Sequence, residues 1–454
     1  MDTKYIGNKK FYANVSRLAI PSMLQQLLSS AMGMVDTMMV SAIGMVTPVG
    51  IASQIGNICN CVSFGVMEGT GIYASQFFGA DDKKNLQRTF GLSIILNLVV
   101  GMLFFASIMF FNTAIIRFYV ADSEAIANAK IYLDLVKWSY PLTTCALAFN
   151  YFYRCIHKTS VSMWIGIISM SVNCLVNYIL IYGKLGFAPM SVAGAAWGTV
   201  IAQIVSITLY MSYSLITRQP FLGKLSTMLD IKPFFFKKVM IRTYPTIINE
   251  TLFGFGTSLY VKAYALLGTK VTDAYYVANT ITNMFFSVCN GMSVSGSMIL
   301  GAELGKGDVE EAVKQSRWFL YLGIALSGVL GIIIIGASNI LVSLFNLSDP
   351  SVVQLSRGIV RVSAVRVALR MIVVVIFSSL RAGGDSKFLM LLDCGIVWCV
   401  GIPLLYGLIL VLQLQDFVLI YLLAQLELVV RIMIGMRRFT SNRWAVNLTT
   451  ELSN

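Results

Sequence analysis

The chain has 454 residues, 57% of them hydrophobic and 12% charged, with a mean hydropathy of +0.76. Soluble domains carry about 25% charged residues, so this composition excludes an ordinary cytosolic enzyme and points to a polytopic membrane protein. The net charge of +13 would suggest nucleic acid as the partner of a soluble chain; here it reads as basic loops that hold membrane topology, with the lipid bilayer as partner and no nucleic acid.

Apolar stretches fall at 17–43, 50–78, 90–116, 131–153, 160–183, 191–216, 241–267, 274–304, 317–345, 354–380, 388–412 and 416–436. Each can cross a hydrocarbon layer of about 30 Å as a helix, the form that satisfies every backbone group without an edge. The expected fold is therefore all-α, with twelve transmembrane helices and no room for a large soluble domain. The segment from Met1 to Arg17 is polar and basic and leads into a long apolar run without a small-residue cleavage site, which reads as a first span. The eight cysteines lie in or at the ends of apolar stretches and read as reduced packing residues.

Assigning loops to alternate sides places 23 Lys and Arg on the side of both termini and four on the other. Both termini are expected in the cytoplasm of a cell-membrane protein. The longest polar interval, Arg218 to Lys238, divides the spans six and six. It defines an amino lobe at 1–217, a linker at 218–238, a carboxy lobe at 239–440 and a tail at 441–454.

Landmarks repeat in order. Pro21 of the first span returns as Pro245 of the seventh, an offset of 224; Gly79 after the second span returns as Gly305, at 226; Arg154 returns as Arg381, at 227. Two copies with an even number of spans share one orientation, so a pseudo-twofold axis along the membrane normal relates two six-helix lobes around a cleft. That is the geometry of alternating-access carriers.

Polar side chains inside the spans are the candidate functional groups, because a charge at mid-membrane costs about 2.5–3.5 kcal/mol on insertion scales. Asp36 shares a helical face with Gln26, Ser29 and Gly33. Asn173 and Asn177 are one turn apart on the fifth span, and Thr199 follows a run of small residues on the sixth. Carboxylate, amide and hydroxyl oxygens together suit a small hard cation or a proton-accepting carboxyl; hydrogen bonding between helices is the plainer reading of the two asparagines. Glu250 lies five residues past Pro245, in the repeat position of Gln26, and Asn279, Asn283 and Asn290 form a stripe on the next span that either lines the cleft or joins helices. Arg366 and Arg370 share a face of the tenth span, where they either pair with Glu250 or Asp393, the favoured reading, or present positive charge to an anionic substrate. Glu427 and Arg431 stand at i, i+4 and are expected to pair. His157, the sole histidine, sits in a polar loop beside Lys158 and reads as solvated. No His-Asp or Cys-His pairing shares a loop, and Cys59 and Cys61 point to different helix faces, so neither an enzyme nor a cofactor is expected.

Several motifs together resemble the multidrug and toxic compound extrusion family: Pro21 with Asp36-Thr37, Gly79-Ala80, Asn173 to Gly183, Gly194 to Thr199, Pro245 with Glu250, and Leu380 to Asp385. The resemblance covers nearly the whole chain. It implies a V-shaped, two-lobed antiporter that exports amphipathic organic compounds against inward Na+ or H+; a monomer is expected. It also implies that Asp36, Asn173, Asn177 and Thr199 form an amino-lobe cation site, and that Glu250 contributes to substrate or cation binding. Two positions depart from the pattern: Asn177 stands where many members have a second aspartate, and Arg370 stands where one bacterial branch has an aspartate. A lipid-linked oligosaccharide flippase of the same superfamily is the alternative.

Overall fold

The structure, a computed structural model, describes residues 6–41, 46–119, 123–345 and 349–450; the extreme ends of the two tails lie outside the described residues. The described chain is helical wherever it has regular structure. In order come α1 (Lys9–Ser41), α2 (Val46–Gly79), α3 (Lys83–Tyr119), α4 (Ser123–Val136), α5 (Ser139–Cys155), α6 (Thr159–Tyr182), α7 (Val192–Ile216) and the short α8 (Leu225–Met228). The second half holds α9 (Pro233–Ala265), α10 (Thr269–Gly305), α11 (Val309–Ser343) and α12 (Pro350–Ala382). It continues with α13 (Ser386–Met390), α14 (Ile402–Tyr406), α15 (Phe417–Leu423) and α16 (Leu426–Thr440). Three π-helical stretches, Leu391–Gly395, Val397–Gly401 and Gly407–Val411, interleave with α13 and α14 to make one continuous rod.

Counting α4 with α5, that rod as one, and α15 with α16, twelve long helical segments correspond to the twelve apolar stretches. Among the described residues seven are long and apolar enough by themselves to cross a membrane. The fourth segment is cut at Lys137–Trp138 into pieces of 14 and 17 residues. The helices of 33 to 37 residues span about 50 Å at 1.5 Å per residue, well beyond a hydrocarbon layer of about 30 Å. Their ends therefore carry the polar residues.

The internal repeat extends to the elements. Lys9 is matched by Pro233, Val46 by Thr269, Lys83 by Val309, Ser123 by Pro350, Thr159 by Ser386 and Val192 by Phe417, each pair of helix starts 223 to 227 residues apart. Even a helix cap is duplicated. Asp82 accepts from the backbone N–H of Asn85 at 3.1 Å and Asp308, 226 residues on, accepts from that of Glu311 at 3.0 Å. Each cap satisfies an amide that the first turn leaves open, a contribution of about 1 kcal/mol.

The chain packs as two compact units: Leu24–Phe78 with Asp82–Ile247, called the amino-side unit, and Met1–Met23 with Gly79–Asp81 and Ile248–Asn454, called the carboxy-side unit. The division by sequence at 218–238 and the division by packing differ. α1 and α9 each change unit two residues past their proline, Pro21 and Pro245. The start of α1 packs in the carboxy-side unit, where Phe11 meets Trp318 and Phe319 edge-on at 5.3 and 4.9 Å. The start of α9 packs in the amino-side unit, where Thr246 donates to the Gly65 carbonyl at 2.6 Å and Tyr73 to that of Lys238 at 3.0 Å. The polar pattern marks where the chain leaves the apolar layer; which unit buries a continuous helix is a packing outcome.

The 218–238 segment is ordered by polar contacts. Asp230 is paired with Arg88 of α3, and the guanidinium hydrogen bond holds its carboxyl below the usual carboxylate range. A lowered value in the folded state means that the pair is complete above the ordinary carboxylate pKa of about 4 and is lost only as pH falls below it. Asp230→Asn is expected to speed backbone hydrogen exchange over 225–231 severalfold at pH 7 without changing global stability, since the pair is exposed. Exchange unchanged from wild type would show that the pair orders nothing. The eight cysteines are free, and His157 sits at the turn between α5 and α6 with its ring edge against Phe78.

Candidate functional site

In the amino-side unit, α6 brings its two asparagines to one face of α1. Asn177 Nδ2 donates to Asp36 Oδ1 at 3.1 Å and to Asn173 Oδ1 at 3.2 Å. Asn177 is 3% exposed, and its own Oδ1 has no donor. α7 closes the cluster from the other side. Gly198 leaves the space that Asn177 fills, since a Cβ there would collide with Asn177 Oδ1. Thr199, next in the chain, donates to the Ala195 carbonyl at 3.2 Å and is hydrogen-bonded to the hydroxyl of Tyr132 from α4. Tyr182 ties the end of α6 to α1 by donating to the Met39 carbonyl at 3.2 Å. Asp36 is thus the single formal charge among neutral amide and hydroxyl groups, with an apolar surround that includes Tyr132, Tyr140, Ile181 and Ala196.

Asn177 thus joins Asp36 of α1 to Asn173 one turn away on α6. Tyr132 is the addition; nothing in the pattern of its span sets it apart. Gln26 is exposed, whereas its neighbour Gln25 is buried, accepting from Arg154 at 3.0 Å and donating to the Ser162 carbonyl at 3.4 Å.

In the carboxy-side unit the charges gather around Arg431. Its guanidinium pairs with Asp393 and with Glu427, the latter at the expected i, i+4 spacing. The remaining oxygens of both acids are also engaged: Asp393 Oδ2 accepts from Asn249 at 3.2 Å, and Glu427 Oε2 accepts from Tyr260. Asn249 is 1% exposed. It also donates to Glu250 Oε1 at 3.3 Å and accepts from the Cys394 amide at 3.2 Å. Asp393 and Cys394 lie in the π-helical stretch Leu391–Gly395; π-bulges inside helices are frequent at functional sites. Gly401 gives this cluster room, because a Cβ there would meet the Tyr260 hydroxyl.

Arg366 and Arg370 make no ion pair with that network among the described residues, although the charge of Asp393 reaches Arg370. Asp393, expected as a partner for either, is taken by Arg431. Arg366 instead donates to the Tyr421 hydroxyl at 2.6 Å and lies against the rings of Phe286 and Tyr421 at 5.3 and 5.7 Å. Among the described residues Arg370 has no carboxylate within 4 Å and no hydrogen bond. Asn283 and Asn290 are exposed and Asn279 is half-buried. α10 is joined to α12 by Thr282, which donates to Ser363 at 2.9 Å.

Twelve helical segments in duplicate, with polar side chains gathered inside each unit, define a membrane transporter of the duplicated-repeat class. The MatE family model matches residues 21–179 and 245–406, beginning at Pro21 and again at Pro245. The chain belongs to this family, the multidrug and toxic compound extrusion transporters. It is similar to an uncharacterized transporter, YisQ, of Bacillus subtilis, at 22% identity over 86% of both chains. It is also similar to a probable multidrug resistance protein, NorM, of Thermotoga maritima, at 22% identity over 88% of this chain and 86% of the other. The crystal structure of a mutant of the Vibrio cholerae MATE transporter VcmN shares the fold, with a TM-score of 0.87 at 14% identity over 97% of this chain and 98% of that one.

Proposed function

We propose that the protein is a secondary antiporter of the cell membrane that exports amphipathic organic compounds in exchange for inward Na+ or H+ by alternating access. In this reading it works as a monomer with both termini and the 218–238 segment in the cytoplasm, as the distribution of Lys and Arg favours. The observation that carries the proposal is the cluster around Asp36: one carboxylate held by Asn177, beside Asn173 and Thr199, with Asn177 Oδ1 left without a donor. A hard cation prefers oxygen ligands and would use that oxygen; a proton would instead neutralise Asp36 directly. Asp36, Asn173, Asn177 and Thr199 hold the coupling ion, which is cargo rather than a resident cofactor. Gln26, Glu250, Asn279, Asn283, Asn290, Arg366 and Arg370 are assigned to the substrate.

The names of relatives such as the Thermotoga maritima protein support multidrug export over the flipping of lipid-linked oligosaccharides. The mechanism follows from charge. Closing an apolar surround over Asp36 is unfavourable while it is charged and favourable once an ion has neutralised it. The ion gradient thereby biases the conformational equilibrium that releases substrate. The test is dye efflux from proteoliposomes under a sodium gradient and a proton gradient imposed separately. Efflux that follows one gradient supports the reading; efflux indifferent to both overturns it.

A further inference from the structure

We infer that Arg366 and Arg370 form a binding site for the oxyanion group of an organic substrate, with the half-buried ring of Phe286 alongside to receive its apolar body. This names a substrate class for the exporter proposed above and rests on that reading.

Two guanidiniums one helical turn apart on α12 present up to ten N–H donors between them. Arg366 is hydrogen-bonded to the hydroxyls of Tyr421 and Tyr275, and Arg370 makes no hydrogen bond among the described residues. The acids nearest them are committed by hydrogen bonds to other groups, and Asp393 acts on Arg370 through its charge alone. Both oxygens of Asp393 are taken, by Arg431 and Asn249, and both of Glu427, by Arg431 and Tyr260. Glu250, the third acid of this region, accepts from Asn249.

Two half-buried arginines without a carboxylate partner are costly in a membrane-spanning helix. Arg431 of the same unit, by contrast, meets two carboxylates. A guanidinium fork matches a carboxylate, sulfonate or phosphate bidentately. Arg366 lies against Phe286 and Tyr421, at 5.3 and 5.7 Å from the ring centres. Tyr421 is 1% exposed, so this anchor is set by core packing. An aromatic or extended apolar anion therefore finds charge and an apolar contact side by side, the combination that gives ligand sites their orientation.

The test uses the full chain in phosphatidylcholine nanodiscs with two fluorescent probes of one ring body and opposite charge, dansylglycine and dansylcadaverine. The wild type is expected to bind the anion at least tenfold more tightly than the cation. Arg370→Met is expected to weaken dansylglycine roughly thirtyfold, the low end for removing one partner of a hydrogen-bonded charge pair, while leaving dansylcadaverine unchanged. Arg370→Lys keeps the charge but loses the fork, and should weaken the anion by a smaller factor; it also serves if the Met variant folds poorly. Equal binding of dansylglycine by wild type and both variants overturns the proposal. So does preference for the cation. Loss of wild-type dansylglycine binding when phosphatidylglycerol replaces phosphatidylcholine would assign the site to a lipid headgroup and overturn the substrate assignment. Binding is read without an ion gradient, so failure here leaves ion-driven efflux standing, and failure of efflux leaves this binding result intact.

Discussion

Asp36→Asn is expected to abolish ion-driven efflux while leaving the protein folded. The side chain keeps its size and can still meet the amide of Asn177, which now stands 3.1 Å from Asp36 Oδ1, so packing against α6 is preserved. What is lost is the one charge of the cluster. Coupling requires the ion to favour one conformation over the other, and a swing from 1:99 to 99:1 needs about 5.5 kcal/mol of differential affinity. Asn173, Asn177, Thr199 and Tyr132 are all neutral, so none of them can replace a carboxylate whose charge an ion cancels. The asparagine variant imitates the neutralised state at all times, and it is expected to bind substrate but to ignore both gradients. Dye efflux from proteoliposomes should fall to the leak rate under either gradient. Efflux at the wild-type rate would remove Asp36 from the mechanism.

How far such groups were legible in the sequence differs between the two halves. Asp36, Asn173 and Asn177 could be found because two asparagines at i, i+4 and one intramembrane acid are rare against an apolar background. Tyr132 could not, because it sits between Ile131 and Leu133 with no polar periodicity and meets Thr199 only when α4 packs on α7. Gln26, which aligns with Asp36, is exposed while its neighbour Gln25 is buried, since adjacent residues differ by about 100° around the axis. In the second half the repeat itself misleads. The residue 224 positions after Asp36 is Tyr260, a neutral donor to Glu427, so the copy keeps the helix and relocates the charges. Glu427 with Arg431 was readable as an i, i+4 pair; the addition of Asp393, 38 residues away in the chain, depends on how the π-helical stretch turns that carboxyl inward.

Arg431→Met is expected to be the most destabilising of these substitutions. Arg431 is 2% exposed and Asp393 and Glu427 are each 7% exposed, so its removal leaves two adjoining carboxylates with only Asn249 and Tyr260 as direct partners. Breaking a buried ion pair by deleting one side costs about 3–5 kcal/mol, which corresponds to a fall in Tm on the order of 10 °C for a unit of this size. The cost comes from the orphaned acids rather than from any large net gain of the intact network, because desolvation offsets most of the attraction between buried charges. Neutralising the acids together with the arginine, as Asp393→Asn, Glu427→Gln and Arg431→Met, should therefore restore most of the lost stability. Met at Arg366 or Arg370 leaves no acid without its partner and should lower Tm far less. Thermal unfolding of these variants in one detergent separates the cases: an unchanged Tm for Arg431→Met, or a triple variant no better than the single one, would show that the network is hydrated rather than sealed inside its unit.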